Sequence, residues 1–347
     1  MNRREFIRNS GLMALTVTAG GVLMPTCMIH SAKAQGMRRE TYVTPGGHFT
    51  LSSFLFSGLE LGLFRNEGID LQVQHGQGTA GALTQVASAA AMYGVGAPVT
   101  TCPAIADRNA EMISIGQLSY PGFFEIASLP GKSLNDPKQL AGKTIGIMSQ
   151  GGSTELLLDA MARKGGVDPA SIKRVVTGIS SSGVAFLERG QADGFFVFYE
   201  TKVALQQQGV KLEYMPTDNH VVLPGDALVA STDLLKKPEG EDATVRYLRA
   251  VRKAMAFVRD PANTEKVAEW FAKYEPVKGA DRKRTAAVLE QVRRLSNPPA
   301  GTPSIRMDEK NWESGLTLME EMGAIKTRGL PRERFFTNKY IDLALKA

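Results

Sequence analysis

The same order of structural signals occurs twice in this chain, about a hundred residues apart, and that duplication limits the folds open to it. In the first copy, Glu40-Thr41-Tyr42-Val43-Thr44 reads as a short strand ended by Pro45-Gly46-Gly47. Leu51, Phe54, Leu55, Gly58, Leu59 and Leu63 recur at three- and four-residue spacing, which predicts a helix over 50–64. Gly68 stops it, since glycine tolerates the left-handed conformation that closes helix ends. Ile69, Leu71 and Val73 alternate as a strand, and Gly76-Gln77-Gly78 turns into a helix carrying Ala82, Leu83 and Val86. Tyr93-Gly94-Val95 is then a strand before Gly96-Ala97-Pro98. The second copy runs from a strand over 144–148 through a helix over 153–164 ended by Gly165-Gly166. A strand over 174–176, a helix carrying Val184, Phe186 and Leu187, and a buried strand over 191–197 follow. Gly68 pairs with Gly166 and Gly94 with Gly194, at nearly constant offset. Alternating strands and helices imply two α/β lobes with mostly parallel sheets.

The remainder, from about Thr232, is helical: 242–259, 263–273, 281–295 and 308–322 carry the 3.6 period, separated by Pro261, Pro276 and Asn297-Pro298-Pro299. These helices are too polar for a core of their own, so they should pack back onto the first lobe. The chain then crosses between lobes twice, near 123–129 and 226–231, both strand-like. The expected partition is 38–130 with 224–347 for lobe 1 and 131–223 for lobe 2.

Residues 1–34 have the form of an export signal: a basic start (Arg3, Arg4, Arg8), an uncharged run over 10–24, and Ala32-Lys33-Ala34 for cleavage. Arg3-Arg4-Glu5-Phe6-Ile7-Arg8 resembles the twin-arginine motif. Without that segment, which holds four basic residues and one acid, the formal charge falls from +6 to +3. That is no nucleic-acid footprint. The stripe Arg246, Arg249, Arg252 and Lys253 is expected to be a solvated helix face. Residues 76–106 carry no charge, but they are rich in Ala, Gly, Thr and Ser, contain Pro98 and Pro103, and read as helix, strand and helix rather than a membrane span. Cys102 is left as the one mature cysteine, and the four histidines are too scattered for a local metal motif.

Enzymatic signals are incomplete. Gly76-Gln77-Gly78-Thr79-Ala80-Gly81 is a literal G-x-G-x-x-G, but no acid occurs between Asp70 and Asp107 to bind a ribose, so a nicotinamide dehydrogenase is the runner-up and no cofactor is expected. Gly131-Lys132-Ser133 and Gly142-Lys143-Thr144 lack the leading glycine of a P-loop. Ser180-Ser181-Ser182 is not a nucleophile elbow.

Gly62-Leu63-Phe64-x-x-Glu67-Gly68-Ile69-Asp70-Leu71, then Ala141-Gly142-Lys143-Thr144-Ile145-Gly146, then Gly190-Gln191-Ala192-Asp193-Gly194 resemble the solute-binding proteins of nitrate/sulfonate/taurine-type ABC importers. The wider family includes binders of thiamine pyrimidine precursors; an exported pyrimidine-synthase-like enzyme is the other alternative beside the dehydrogenase, although the cysteine-rich motif of those synthases has no counterpart here. The resemblance covers about 40–235. It implies a type II periplasmic binding protein: two α/β lobes, two hinge crossings, a helical C-terminal region on lobe 1, and closure around a ligand. It further implies a monomeric periplasmic protein, not an enzyme, that passes a small molecule to a membrane permease. An anion such as a sulfonate or an aromatic or heterocyclic acid is expected.

Ligands of open α/β sheets sit at the carboxyl ends of the strands. The candidate binding residues there are His48, Phe49 and Thr50, then Gln77 and Ala97, and Ser149, Ser153 and Thr154 in the second lobe. Ser153 and Thr154 offer hydroxyls beside free helix amides, suited either to an anion or to plain capping. His48, Phe49 and Tyr120 could stack on a flat ring. Tyr199-Glu200 stands where the resembled family often has Trp-Glu-Pro.

Overall fold

The computed structural model describes residues 37–346 apart from positions 48, 121 and 179, so the expected signal segment and His48 lie outside the described residues. The first repeat folds as β1 (Arg38–Thr44), α1 (Ser53–Glu60), α2 (Leu63–Asn66), β2 (Ile69–His75), α3 (Gly78–Ala87), β3 (Tyr93–Gly96), α4 (Pro98–Arg108) and β4 (Met112–Gln117). The second folds as β5 (Phe124–Ser128), β6 (Thr144–Ile147), α5 (Ser153–Lys164), β7 (Lys173–Val176), α6 (Gly183–Glu188), β8 (Gly194–Phe198), α7 (Tyr199–Gln207) and β9 (Glu213–Pro216). The chain returns through β10 (Ala227–Ser231) and α8 (Thr232–Leu235). It then continues into α9 (Pro238–Arg259), α10 (Thr264–Tyr274), α11 (Pro276–Gly279), α12 (Arg282–Leu295), α13 (Glu309–Glu321) and α14 (Lys339–Lys346).

Two five-stranded sheets result, ordered β2-β1-β3-β10-β4 and β7-β6-β8-β5-β9. β1 runs parallel to β2 and β3, and β6 parallel to β7 and β8. In each sheet the fourth strand is reversed, pairing antiparallel on both sides. That reversed strand is the one the chain forms just after crossing. Ile126 and Ala127 of β5 are fully buried between β8 and β9, so β5 belongs to the second sheet. The first crossing therefore precedes Phe124, earlier than the partition at residue 130. Residues 123–129 read as a strand, but a strand buried on both faces carries no local mark of which sheet it joins.

The helix expected over 50–64 is divided. A 3₁₀ turn covers Thr50–Ser52, and the chain breaks at Gly62, whose φ of 66° only glycine adopts at little cost. The break lets Phe64 fold back on Gly58, where an added Cβ would lie 2.5 Å from the ring.

Of the C-terminal helices, α9, α10, α12 and α14 pack against one face of the first sheet, and α13 packs with α3 and α4 in the other core cluster. Tyr247 of α9 stacks on Tyr93 with centroids 3.9 Å apart and on Phe64 at 5.8 Å, contacts that add about 0.5–1.5 kcal/mol each beyond area burial. The basic stripe of α9 is not a solvated face. Arg246 donates to the Glu67 carbonyl at 2.9 Å, and Arg249 and Lys253 pair with its carboxylate at 3.4 and 3.3 Å. Residues 76–106 form α3, β3 and α4, with Pro103 accommodated inside α4. Among the described residues, no helix is long and apolar enough to cross a membrane.

Candidate functional site

The strand ends of the two sheets face each other across a cavity of about 230 Å³. Phe49, Leu51, Val95 and Leu118 close it from the first lobe, and Phe124, Met148, Phe198 and Tyr199 from the second. Gly78 and Gly96 let backbone approach it. Gly78 has a φ of 72°, and a Cβ on Gly96 would lie 2.7 Å from Thr101. The glycine-rich turn thus shapes a wall of the cavity.

Asp226, at the second crossing, is the only charged residue among the described residues that line this cavity. Its main chain is fixed: the amide donates to the Ser119 hydroxyl at 2.9 Å, and its carbonyl accepts from Leu118 at 2.8 Å and from Ser119 at 3.2 Å. Its carboxyl makes no hydrogen bond among the described residues, and burial pushes its pKa up to about 7. Tyr42, which also lines the cavity, has a buried hydroxyl without a hydrogen-bond partner among the described residues. Burial first, and the Asp226 charge second, raise that hydroxyl above the usual tyrosine range. The cavity thus offers a wide apolar surface with one acidic acceptor.

Hydrogen bonds join the lobes across the cleft. The Thr50 amide donates to the Glu200 carboxyl, and the Leu51 amide donates to the Tyr199 hydroxyl at 3.2 Å. These are first-turn amides that no side chain of their own segment caps, so the second lobe caps the first lobe's helix in trans. Thr100 and Ser153, in the first turns of α4 and α5, share a hydrogen bond of 2.8 Å. Burial raises the Glu200 carboxyl above its ordinary value, partly offset by the Thr50 bonds and by Lys278 and Arg284.

Of the residues expected at the site, Phe49, Ala97, Ser149, Ser153 and Tyr199 line the cavity. Thr50 and Glu200 meet at its edge, around a neighbouring cavity of about 210 Å³. Gln77 is exposed and does not line it. Thr154 does not either; its hydroxyl accepts from the Met148 amide at 3.0 Å, which ties the first turn of α5 to the end of β6, and neither Thr154 nor Ser153 caps the helix. Glu155 turns back to the Gly151 amide at 2.6 Å. Tyr120 is not a stacking wall: its hydroxyl donates to the Arg306 carbonyl at 3.1 Å, beneath the C-terminal segment. Ser153 is already bonded to Thr100, and the described residues of the lining include no cation. Asp226 is the residue that sequence reasoning missed. It stood inside the expected crossing, and a polar residue opening a buried strand was the available signal.

No group of His, Cys, Asp and Glu among the described residues is arranged to hold a metal. Cys102 is buried, its thiol pushed up to about 12, and is chemically quiet.

The sequence matches the profile described as NMT1/THI5 like over residues 51–264. No curated protein matches it. Among solved structures, the nitrate-binding protein NrtA from Synechocystis is similar at a TM-score of 0.65 and 14% identity, covering 90% of this chain and 89% of that one. The aliphatic sulphonate binding protein SsuA from Escherichia coli gives 0.63 and 15%, covering 86% and 92%. The desulfurization enzyme DSZB gives 0.58 and 14%, covering 89% and 99%. At these identities the likeness establishes a common fold, the two-lobed fold of periplasmic binding proteins.

Proposed function

The chain belongs to the NMT1/THI5-like family, and from that premise we propose that it is an extracytoplasmic solute-binding protein that hands a small organic molecule to the permease of an ABC importer. The observation that carries this reading is the interlobe cavity, apolar on most sides and lined by one half-buried acid, Asp226. A flat, mostly apolar body fills such a space, and an N–H donor or a cation would satisfy the carboxyl. An amino-substituted heterocycle of pyrimidine size has both features; a bare nitrate or an alkyl sulfonate has neither. The solute-binding relatives supply the analogy for delivery, and the export signal over 1–34 supplies the compartment, with twin-arginine translocation as the route.

The Asp226 carboxyl gives binding a pH signature. A donor on the ligand favours the ionised form and lowers a pKa that stands near 7 in the free protein. Binding then releases protons near neutrality, and affinity rises with pH through about 7. A thermal-shift screen of the mature chain over aminopyrimidines, aromatic amines, aromatic carboxylates, sulfonates and nitrate tests the reading. A ligand at a hundred times its dissociation constant adds about 2.7 kcal/mol. Stabilisation by sulfonates or nitrate alone would overturn the assignment to donor-bearing heterocycles.

A further inference from the structure

The two crossings run side by side, and different groups tie them at their two ends. Toward the first lobe the ties do not titrate. The Leu118 amide donates to the Asp226 carbonyl at 2.8 Å, and the Gly225 amide to the Tyr120 carbonyl at 3.4 Å. The Gln117 side chain donates to the Gly225 carbonyl at 2.9 Å. Toward the second lobe, the Thr217 hydroxyl donates to the Phe124 carbonyl at 2.9 Å. The other tie there is a carboxyl. Asp218, in the turn after β9, accepts from the Gly122 amide of the first crossing. The contact needs glycine, because a Cβ on Gly122 would collide with the Asp218 carboxyl.

Asp218 is half-buried and lines a cavity of about 30 Å³ between the crossings. Ala97 and Val99 bound that cavity from the first lobe and Leu157 from the second, so parting the lobes opens it to water. Closed, it admits about one or two water molecules, far short of the hydration a carboxylate has in solvent. Asp226 is the one other charged residue among the described residues that line it. His220 follows Asp218 in the same turn without lining the cavity. On the elements packed around it, Glu125 of β5 pairs with Lys202, and Glu155 and Asp159 of α5 pair with Arg174. Burial outweighs the Gly122 bond, and the Asp218 carboxyl is raised to about 6.

We propose that Asp218 is a pH-operated latch on the hinge: protonated, it stays in the dry cavity and keeps the lobes together, and ionised, it draws water between the crossings and frees them. Hydration in an open form returns the carboxyl toward its ordinary value near 4, so the closed form binds more protons between about pH 4 and 6. The advantage of the closed form is full below that range and is lost as pH rises through 6. Acid then holds the ligand-free chain shut, and neutral surroundings leave it open for capture. The latch does not depend on what the ligand is, since Asp218 lies outside the cavity that Phe49 and Tyr199 line.

The test is pulsed electron paramagnetic resonance on the ligand-free chain, with spin labels at Leu61→Cys and Val176→Cys, exposed positions on the two lobes. An Asp226→Asn background silences the other acid of the cavity. From pH 8 to pH 5 the ratio of compact to open distances should rise about threefold to tenfold. Adding Asp218→Asn, which keeps an oxygen to accept from Gly122 but cannot ionise, should hold that ratio within about 1.5-fold over the same range. Gly122→Ala, which pushes the carboxyl off the amide, should leave the chain as open at pH 5 as its parent is at pH 8. A ratio that does not respond to pH, a response that survives Asp218→Asn, or a Gly122→Ala chain that still closes in acid would each overturn the latch.

Discussion

The two lobes are built on one plan and finished differently. β1-α1-β2-α3-β3-α4-β4 in the first corresponds to β6-α5-β7-α6-β8-α7-β9 in the second, with strands in the same spatial order and the crossing strand reversed at the same place. The first lobe then adds α9 to α14. It buries Tyr247 and Val251 against the sheet, and α12 reaches the rim of the cleft with Arg284. The second lobe adds no helices; its small outer core rests on Phe195, Val197, Leu187 and Leu205. The duplicated part places strand ends across a cleft and supplies Tyr199 and Glu200, which cap a helix of the other lobe from the start of α7. The unmatched parts supply the charges: Asp226 lies on a crossing, and Arg284 and Lys278 lie on added helices.

The largest effect expected from this contrast is on stability. Phe195 is fully buried under Gly146 and Gly183, and Phe195→Ala should cost about 3–5 kcal/mol. Trp270 and Trp312 both belong to the helices added to the first lobe, so tryptophan fluorescence reports that lobe while circular dichroism reports both. In denaturant the two transitions should separate in Phe195→Ala, with ellipticity lost first. Coincident, equally shifted curves would mean that the lobes unfold as one unit.

Asp226 sharpens the comparison at the cleft. Replacing it with Asn removes a charge-assisted bond, so affinity for the best hit of the screen should fall about tenfold to a hundredfold. The ligand-free chain should respond in the opposite sense. A carboxyl with a folded pKa near 7, above its unfolded value, binds more protons in the native state between about pH 4 and 7. Its contribution to stability is therefore full below about pH 4 and lost as pH rises through 7. Asp218, held near 6 by burial, adds to the same slope. Thermal melts from pH 5 to 8 should show a steeper decline in wild type than in Asp226→Asn; equal slopes would remove Asp226 from the account.

The trans cap is the smaller effect. Tyr199→Phe removes one neutral bond to the Leu51 amide and should cost about 0.5–1.5 kcal/mol of closure. Hydrogen exchange at Leu51 should quicken by roughly threefold to tenfold on that scale, while amides in the sheet centres stay protected. Unchanged exchange at Leu51 would show that the contact does not hold the lobes together.

Much of this architecture was legible in the residues. The glycine at the end of each repeat's first helix and the 3.6 periods of α9, α10, α12 and α13 marked the elements directly, because local sterics and amphipathicity are local properties. Membership of β5 and β10 in their sheets was not legible, since a strand buried on both faces looks alike in either sheet. At the site, Phe49 and Ser149 were reachable from the rule that strand ends line the cleft, and Tyr199 only from the family resemblance. Thr154 and Tyr120 were misread because a hydroxyl's partner is set by tertiary packing: the Met148 amide for one, the Arg306 carbonyl for the other. Asp226 escaped because its significance lies in desolvation, which depends on what closes over it.

The central claim is that one ligand is held between the lobes and draws them together. Spin labels at Leu61→Cys on the first lobe and Val176→Cys on the second sit at exposed positions and leave buried Cys102 unlabelled. Their distance distribution, measured by pulsed electron paramagnetic resonance with and without the best hit of the screen, reports closure directly. The account predicts a broad distribution without ligand that narrows at saturation to one distance, the one between these positions with the Thr50–Glu200 and Thr100–Ser153 contacts made. A distribution unchanged by saturating ligand would contradict it.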